Sequence, residues 1–225
     1  MRRLRIALLM LGLVSLPMIA TPAYATVHAQ ASPTANQLLA KASSCSVVSQ
    51  GRYRTVGNAT SATVDICGSG SAYFWKADMD IDCDGVSTSN CNSRTDPWYQ
   101  PQTAYRTSKG GYFQSDATHF FVIPASSSRF SYSSAGIRPG TVAAVIYRGA
   151  VVYAVFADVG PSNVIGEASY ATARDLGINP DPRYGGVESG VTYIIFKGNV
   201  PSPVEDNGAI TAKGAAAANA WLNGD

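Results

Sequence analysis

Histidine and glutamate are among the scarcest residues of this 225-residue chain, and their scarcity removes whole classes of chemistry. Only His28 and His119 occur, too few for a histidine-rich metal centre. No G-x-S-x-G turn accompanies His119, so a serine-hydrolase triad has no nucleophile elbow to use. His119 therefore reads as structural. Neither a phosphate-binding glycine loop nor G-x-G-x-x-G appears, which leaves nucleotide chemistry without support. The four cysteines, Cys45, Cys67, Cys83 and Cys91, lack the C-x-x-C spacing of a zinc site. No metal and no cofactor is expected.

Basic excess is also missing once the start of the chain is set aside. Met1-Arg2-Arg3-Leu4-Arg5 precedes the apolar run Ile6 to Ala20, and Ala23-Tyr24-Ala25 and Val27-His28-Ala29 resemble signal-peptidase sites. That order of charge, short apolar stretch and small residues marks residues 1–29 as a secretory signal and processing region. The full chain carries 17 Lys+Arg and 15 Asp+Glu; without the three leader arginines, 14 basic residues face 15 acidic ones, a net charge of −1. A near-neutral surface is no nucleic-acid interface, which needs a basic stripe. No second long apolar run follows the leader, so no membrane partner is expected after its removal. The expectation is an extracellular monomer in residues 30–225, one domain. In an exported chain an even cysteine count reads as two disulfides. Of the three connectivities, Cys45–Cys67 with Cys83–Cys91 closes the shortest loops.

What is abundant is strand signal. β-branched and aromatic runs occupy 52–56, 62–66, 72–75, 120–123, 141–147, 151–156 and 191–196, bounded by Gly, Pro, Ser or Asn. The runs 141–147 and 151–156, joined across Arg148-Gly149-Ala150, predict a hairpin. Short helices are predicted at 37–41, at 168–176 ending on Gly177, and at 212–222 despite Gly214. The fold class is mainly β (β-rich α+β), a single-domain barrel with a few short helices.

Elimination leaves carboxylates as the reactive groups. Glutamate occurs only at 167, 188 and 205. Asp158 follows the apolar run 151–156, and Glu167 lies nine residues on, beyond Gly160-Pro161 and Gly166. A carboxylate at the rim of a buried strand is partly desolvated, which raises its pKa. Two carboxylates across a cleft are what glycosidic cleavage requires, one as acid and one as base. The alternative is a turn aspartate with a surface glutamate. A second feature is the alternation of Asp78, Asp80, Asp82 and Asp84. An extended chain would set all four on one face, where they call for a cation, a basic side chain or a cationic substrate. Asp80 to Gly85 also fits the opening of a calcium loop, but the closing glutamate of an EF-hand would fall on Cys91. Aromatic residues, among them Tyr73, Phe74, Trp75, Trp98, Tyr99, Tyr105, Tyr112 and Tyr184, sit among short polar residues suited to sugars.

Taken together, the segments 77–85, Tyr153-Ala154-Val155-Phe156-Ala157-Asp158-Val159-Gly160-Pro161, Ile165-Gly166-Glu167-Ala168-Ser169, and 185–187 leading to 191–196 resemble glycoside hydrolase family 75, the fungal-type chitosanases. The resemblance implies a secreted endo-chitosanase cutting β-1,4 linkages of chitosan with inversion, on a barrel related to the double-psi type. It places the essential Asp and Glu on Asp158 and Glu167. Asp78, Asp80, Asp82, Asp84, Trp75 and Tyr153 are then the candidate substrate-binding residues, with Glu167 favoured as acid and Asp158 as base. The rival readings are a peptidoglycan or chitin lytic enzyme on a related barrel, and a non-catalytic expansin-like module.

Overall fold

A computed structural model describes residues 31–224; the leader read into residues 1–29 lies outside the described residues. Six strands close into a barrel: β3 (Ala72–Asp82), β4 (Phe120–Pro124), β5 (Val142–Tyr147), β6 (Ala150–Gly160), β7 (Glu167–Ser169) and β8 (Val187–Phe196), in the order β3-β7-β4-β6-β5-β8 with β8 returning to β3. Two short strands, β1 (Ser46–Val47) and β2 (Cys67–Ser69), extend β3 outside this ring. The β3–β7 and β4–β6 pairs are parallel, and β3–β8, β5–β6, β5–β8 and β4–β7 are antiparallel. The mainly β barrel with few helices is thus as expected.

Period-two alternation divides each strand between two cores. Trp75, Ala77, Met79 and Ile81 of β3 meet Phe121, Phe156, Ala168, Tyr193 and Val145 inside the ring. The opposite faces, with Phe74, Phe120, Val155, Ile194 and Phe196, are covered by α1 (Ala35–Lys41) and α3 (Asn207–Asn223) through Leu38, Ile210, Ala217 and Trp221. Asp206 caps α3 by accepting from Ala209 N at 2.7 Å. Gly214 is kept in α3 by packing: a Cβ there would come within 2.3 Å of the Tyr153 ring.

The predicted hairpin forms with a two-residue turn whose residues Arg148 and Gly149 both have positive φ, 45° and 86°. Both disulfides pair as favoured, Cys45–Cys67 and Cys83–Cys91. Other expectations need correction. Runs 52–56 and 62–66 form no strands; they bury Tyr53, Val64 and Ile66 in the core, but meet at a single Tyr53–Val64 bridge with exposed Arg52, Val56, Ala62 and Thr63 around it. The run 72–75 continues to Asp82, and 151–156 continues to Gly160. Asp158 is therefore within a strand rather than after one. Residues 168 and 169 belong to β7, so the predicted helix shortens to α2 (Tyr170–Asp175), capped by Ser169.

Candidate active site

The position of Asp158 depends on a bulge. Val152, Ala154 and Phe156 point into the barrel, and strict alternation would send Asp158 after them. Instead the β4–β6 register slips between Phe121↔Phe156 and Val122↔Asp158. One extra residue, Ala157, turns Asp158 to the outer face beside Val122. A bulge of this kind re-aims one side chain without disturbing the core behind it.

Glu167 opens β7. The antiparallel pair Phe121↔Ala168 sets Glu167, one residue earlier, beside Val122 on that same outer face. Asp158, Val122 and Glu167 thus line up across β6, β4 and β7, and all three line one cavity of about 430 Å³. Gly160 closes the arrangement, since a Cβ there would stand 3.3 Å from Val122 Cγ1 and 3.4 Å from Glu167 Oε2. On its other side Glu167 is the register partner of Asp80 in β3.

The alternating aspartates gather as their spacing requires. Asp78, Asp80 and Asp82 lie along β3, and Asp84 follows its end. Asp80, Asp82 and Asp84 line the same cavity as the pair, while Asp78 lines an adjoining one through Asp80. Asp78 Oδ1 is buried without a hydrogen-bond partner and presses on Gly166, whose φ of 114° and missing Cβ are both needed there. The extended geometry of Asp80 and Asp82 is no calcium-loop geometry. Asp82, Asp84 and Asp158 nevertheless bring carboxylate oxygens within 4.8 Å of one another, a donor set a hard cation could use. Backbone donors already reach these three: Asp82 Oδ1 accepts from Asp84 N at 2.6 Å, Asp84 Oδ1 from Gln100 N at 2.6 Å, and Asp158 Oδ1 from Ala104 N at 2.8 Å and Val159 N at 2.7 Å.

The electrostatics separate the two central carboxyls. Burial pushes Glu167 up to about 8, reinforced by the charges of Asp80, Asp158, Asp84 and Asp96. No hydrogen bond from the described residues reaches its carboxyl to counter this. Asp158 is raised by burial too, and its two backbone N–H donors, which stabilise the ionised form, offset part of that rise. Asp78 is pushed up to about 8 by burial and then by Asp80, and Asp84 to about 7 by burial, against its Gln100 bond. Neighbouring titratable groups driven apart in this way can serve one as proton donor and one as acceptor.

Trp75 and Tyr153 are not brought to this groove. Trp75 is 1% exposed inside the barrel, stacked on Tyr193, and Tyr153 lies under α3 against Gly214. A short residue interval from the acidic run says nothing about which face of the sheet a ring occupies. His119 sits at the entry to β4 and pairs with Asp175 at 2.7 Å, tying strand to helix. Trp98, one of the aromatic residues named from the sequence, does line the site's cavities, together with Asp96, Gln100 and Arg183, which patterning does not reveal. They come from the irregular stretches 84–119 and 179–186, where no periodicity marks a residue.

Residues 79–223 match the family model described as fungal chitosanase of glycosyl hydrolase group 75. Endo-chitosanase C of Aspergillus oryzae is 32% identical over 191 residues, an alignment covering 80% of this chain and 47% of that protein. Endo-chitosanase B of Aspergillus oryzae (strain ATCC 42149 / RIB 40) is 28% identical over 176 residues, covering 71% and 73%. The endo-chitosanase of Aspergillus fumigatus is 35% identical over 101 residues, 42% of each chain. The chain thus spans about half the length of endo-chitosanase C.

Proposed function

Since the chain belongs to the fungal chitosanase family of glycosyl hydrolase group 75, we propose that it is a secreted endo-chitosanase that hydrolyses β-1,4 linkages between glucosamine units with inversion. Glu167 is the acid and Asp158 the base. The observation that carries this reading is the alignment Glu167–Val122–Asp158 across three neighbouring strands. Two strand spacings separate the backbones by about 9–10 Å. Side chains rising from one face at that separation suit the roughly 6.5–9.5 Å of an inverting pair better than the ~5 Å of a retaining one. The space above Val122 then belongs to the sugar and a water.

The step follows from the two environments. Glu167, protonated below about 8, gives its proton to the glycosidic oxygen as the C1–O bond breaks. Asp158, whose Oδ1 accepts from the N–H groups of Ala104 and Val159, takes a proton from the water that attacks C1 from the opposite face. The β-linkage therefore yields an α-hemiacetal, with Glu167 left ionised and Asp158 protonated until solvent resets them.

Chitosan supplies the counter-charge that the groove needs. Asp80, Asp82, Asp84, Asp96, Asp158 and Glu167 gather in adjoining cavities with Arg183 as the cation among their lining residues. Ammonium groups along a glucosamine polymer would be drawn there and would relieve the mutual repulsion. Two disulfides suit an oxidising, extracellular setting, in keeping with the leader read in residues 1–29. No described helix is long and apolar enough to cross a membrane.

Reducing-end release from deacetylated chitosan and from chitin tests the assignment. Product from chitosan, lost in Asp158→Asn, is the expected result. Release from chitin alone would overturn it.

A further inference from the structure

Among the described residues, the two most exposed large apolar side chains are Trp98, 84% exposed, and Tyr184, 82% exposed. They belong to loops some eighty-six positions apart in sequence, yet both line one open cleft with Pro97, Pro182 and Arg183. Scattered exposed apolar residues are ordinary; two aromatic rings left in water at one cleft are not.

Both rings stand on fixed backbone. Trp98 N–H donates to Asp96 Oδ1 at 2.8 Å, in a segment anchored by the Cys83–Cys91 disulfide. The N–H groups of Arg183 and Tyr184 both donate to Asp181 Oδ1, at 2.8 and 2.9 Å. The Arg183 guanidinium also donates to the Arg94 carbonyl, joining the two loops. The cleft is therefore present before any ligand arrives.

It is also continuous with the catalytic groove. Trp98 lines the cavity that holds Asp158, Val122 and Glu167, and with Arg183 it lines the neighbouring acidic cavity. We infer that Trp98 and Tyr184 form an outer sugar-binding platform, on which pyranose rings of the polymer stack after leaving the acidic groove. This rests on the chitosanase reading. The chemistry of the two regions differs. Carboxylates recognise ammonium groups at the centre, while aromatic faces recognise the apolar face of a sugar ring. Tyr184 lines the outer cleft and neither of the two cavities that hold the central carboxylates, so its ring affects how the polymer is held and not how the bond is broken.

The test uses the full chain and a fully deacetylated glucosamine hexasaccharide. Tyr184→Ala is expected to raise KM about tenfold with kcat unchanged, and Tyr184→Phe to behave as wild type, because the ring face and not the hydroxyl is used. Trp75 and Trp221 are each 1% exposed, so quenching by acrylamide reports mainly on Trp98. In the Glu167→Gln variant, which holds the hexasaccharide uncut, Trp98 is expected to lose most of its quenching when the sugar is added. An unchanged KM in Tyr184→Ala together with undiminished quenching would overturn the platform while leaving hydrolysis intact. Protection of Trp98 in a protein that never cuts chitosan would uphold the platform and sink the catalytic reading.

Discussion

Asp80 and Glu167 are register partners on adjacent parallel strands, β3 and β7, so their side chains rise from the same face of the barrel. Asp80 is the first-ranked charge, after burial itself, in lifting Glu167 to about 8. In the proposed mechanism this sets the alkaline limit of activity, since an acid must hold its proton to donate it. Asp80→Asn removes that repulsion and should move the alkaline limb of the kcat profile to lower pH. A pH–rate series on wild type and variant measures it; coincident alkaline limbs would count against Glu167 as the donor.

Removal of either central carboxyl should cost catalysis and not structure. Asp158→Asn and Glu167→Gln are each expected to lower kcat by about 10²–10⁴-fold, the range for a lost general acid or base. At pH 7 Glu167 already prefers its neutral form, so Gln replaces it with little change in charge. Thermal unfolding of Glu167→Gln should match wild type near pH 4 and exceed it increasingly between pH 6 and 8.5. Unfolding curves and initial rates on one preparation check both halves.

Stability itself should fall as pH rises. Unfolded carboxyls titrate near 4, whereas Glu167 and Asp78 are pushed up to about 8 and Asp84 to about 7 in the folded protein. Between these values the folded state binds more protons than the unfolded one. Their contribution is complete below about pH 4 and lost as pH rises through 7–8. Asp116 and Asp175, held low by their hydrogen bonds with Thr88 and Arg174 first among them, act in the opposite sense only at acid pH. Melting temperature should therefore drop between pH 5.5 and 8.5. Asp78→Asn should flatten that slope.

Gly166 is the backbone position on which the site geometry most depends. Its φ is 114°, and a Cβ would fall 1.9 Å from Asp78 Oδ1. Its carbonyl also accepts from Asp80 N at 2.8 Å, joining β3 to the start of β7. Gly166→Ala should destabilise by roughly 1–3 kcal/mol from backbone strain and reduce kcat further by displacing Glu167. Denaturant unfolding and turnover measured together distinguish this from a surface change, which would leave both near wild type.

Much of this arrangement can be read from sequence where a period exists. The aspartates at 78, 80, 82 and 84 share a face because strand alternation is strict, and the hairpin at 148–149 follows from its turn residues. The ends of β3 and β6 escape such reading. Polar residues continue both strands into the groove, so apolar runs stop short of them at Trp75 and Phe156. The bulge at Ala157 leaves no mark in composition, yet it decides whether Asp158 faces the core or the substrate. Trp75 shows the opposite failure: a ring beside an acidic run lies on the inner face simply because its position is odd.

The stereochemistry of the first product tests the central claim most directly. Proton NMR of a chitosan digest, recorded before the new ends mutarotate, should show the α-anomer of the reducing glucosamine appearing first and the β-anomer growing in later. Fresh β-anomer would contradict a water-separated pair, as it would require Asp158 or Glu167 to bond to the sugar itself.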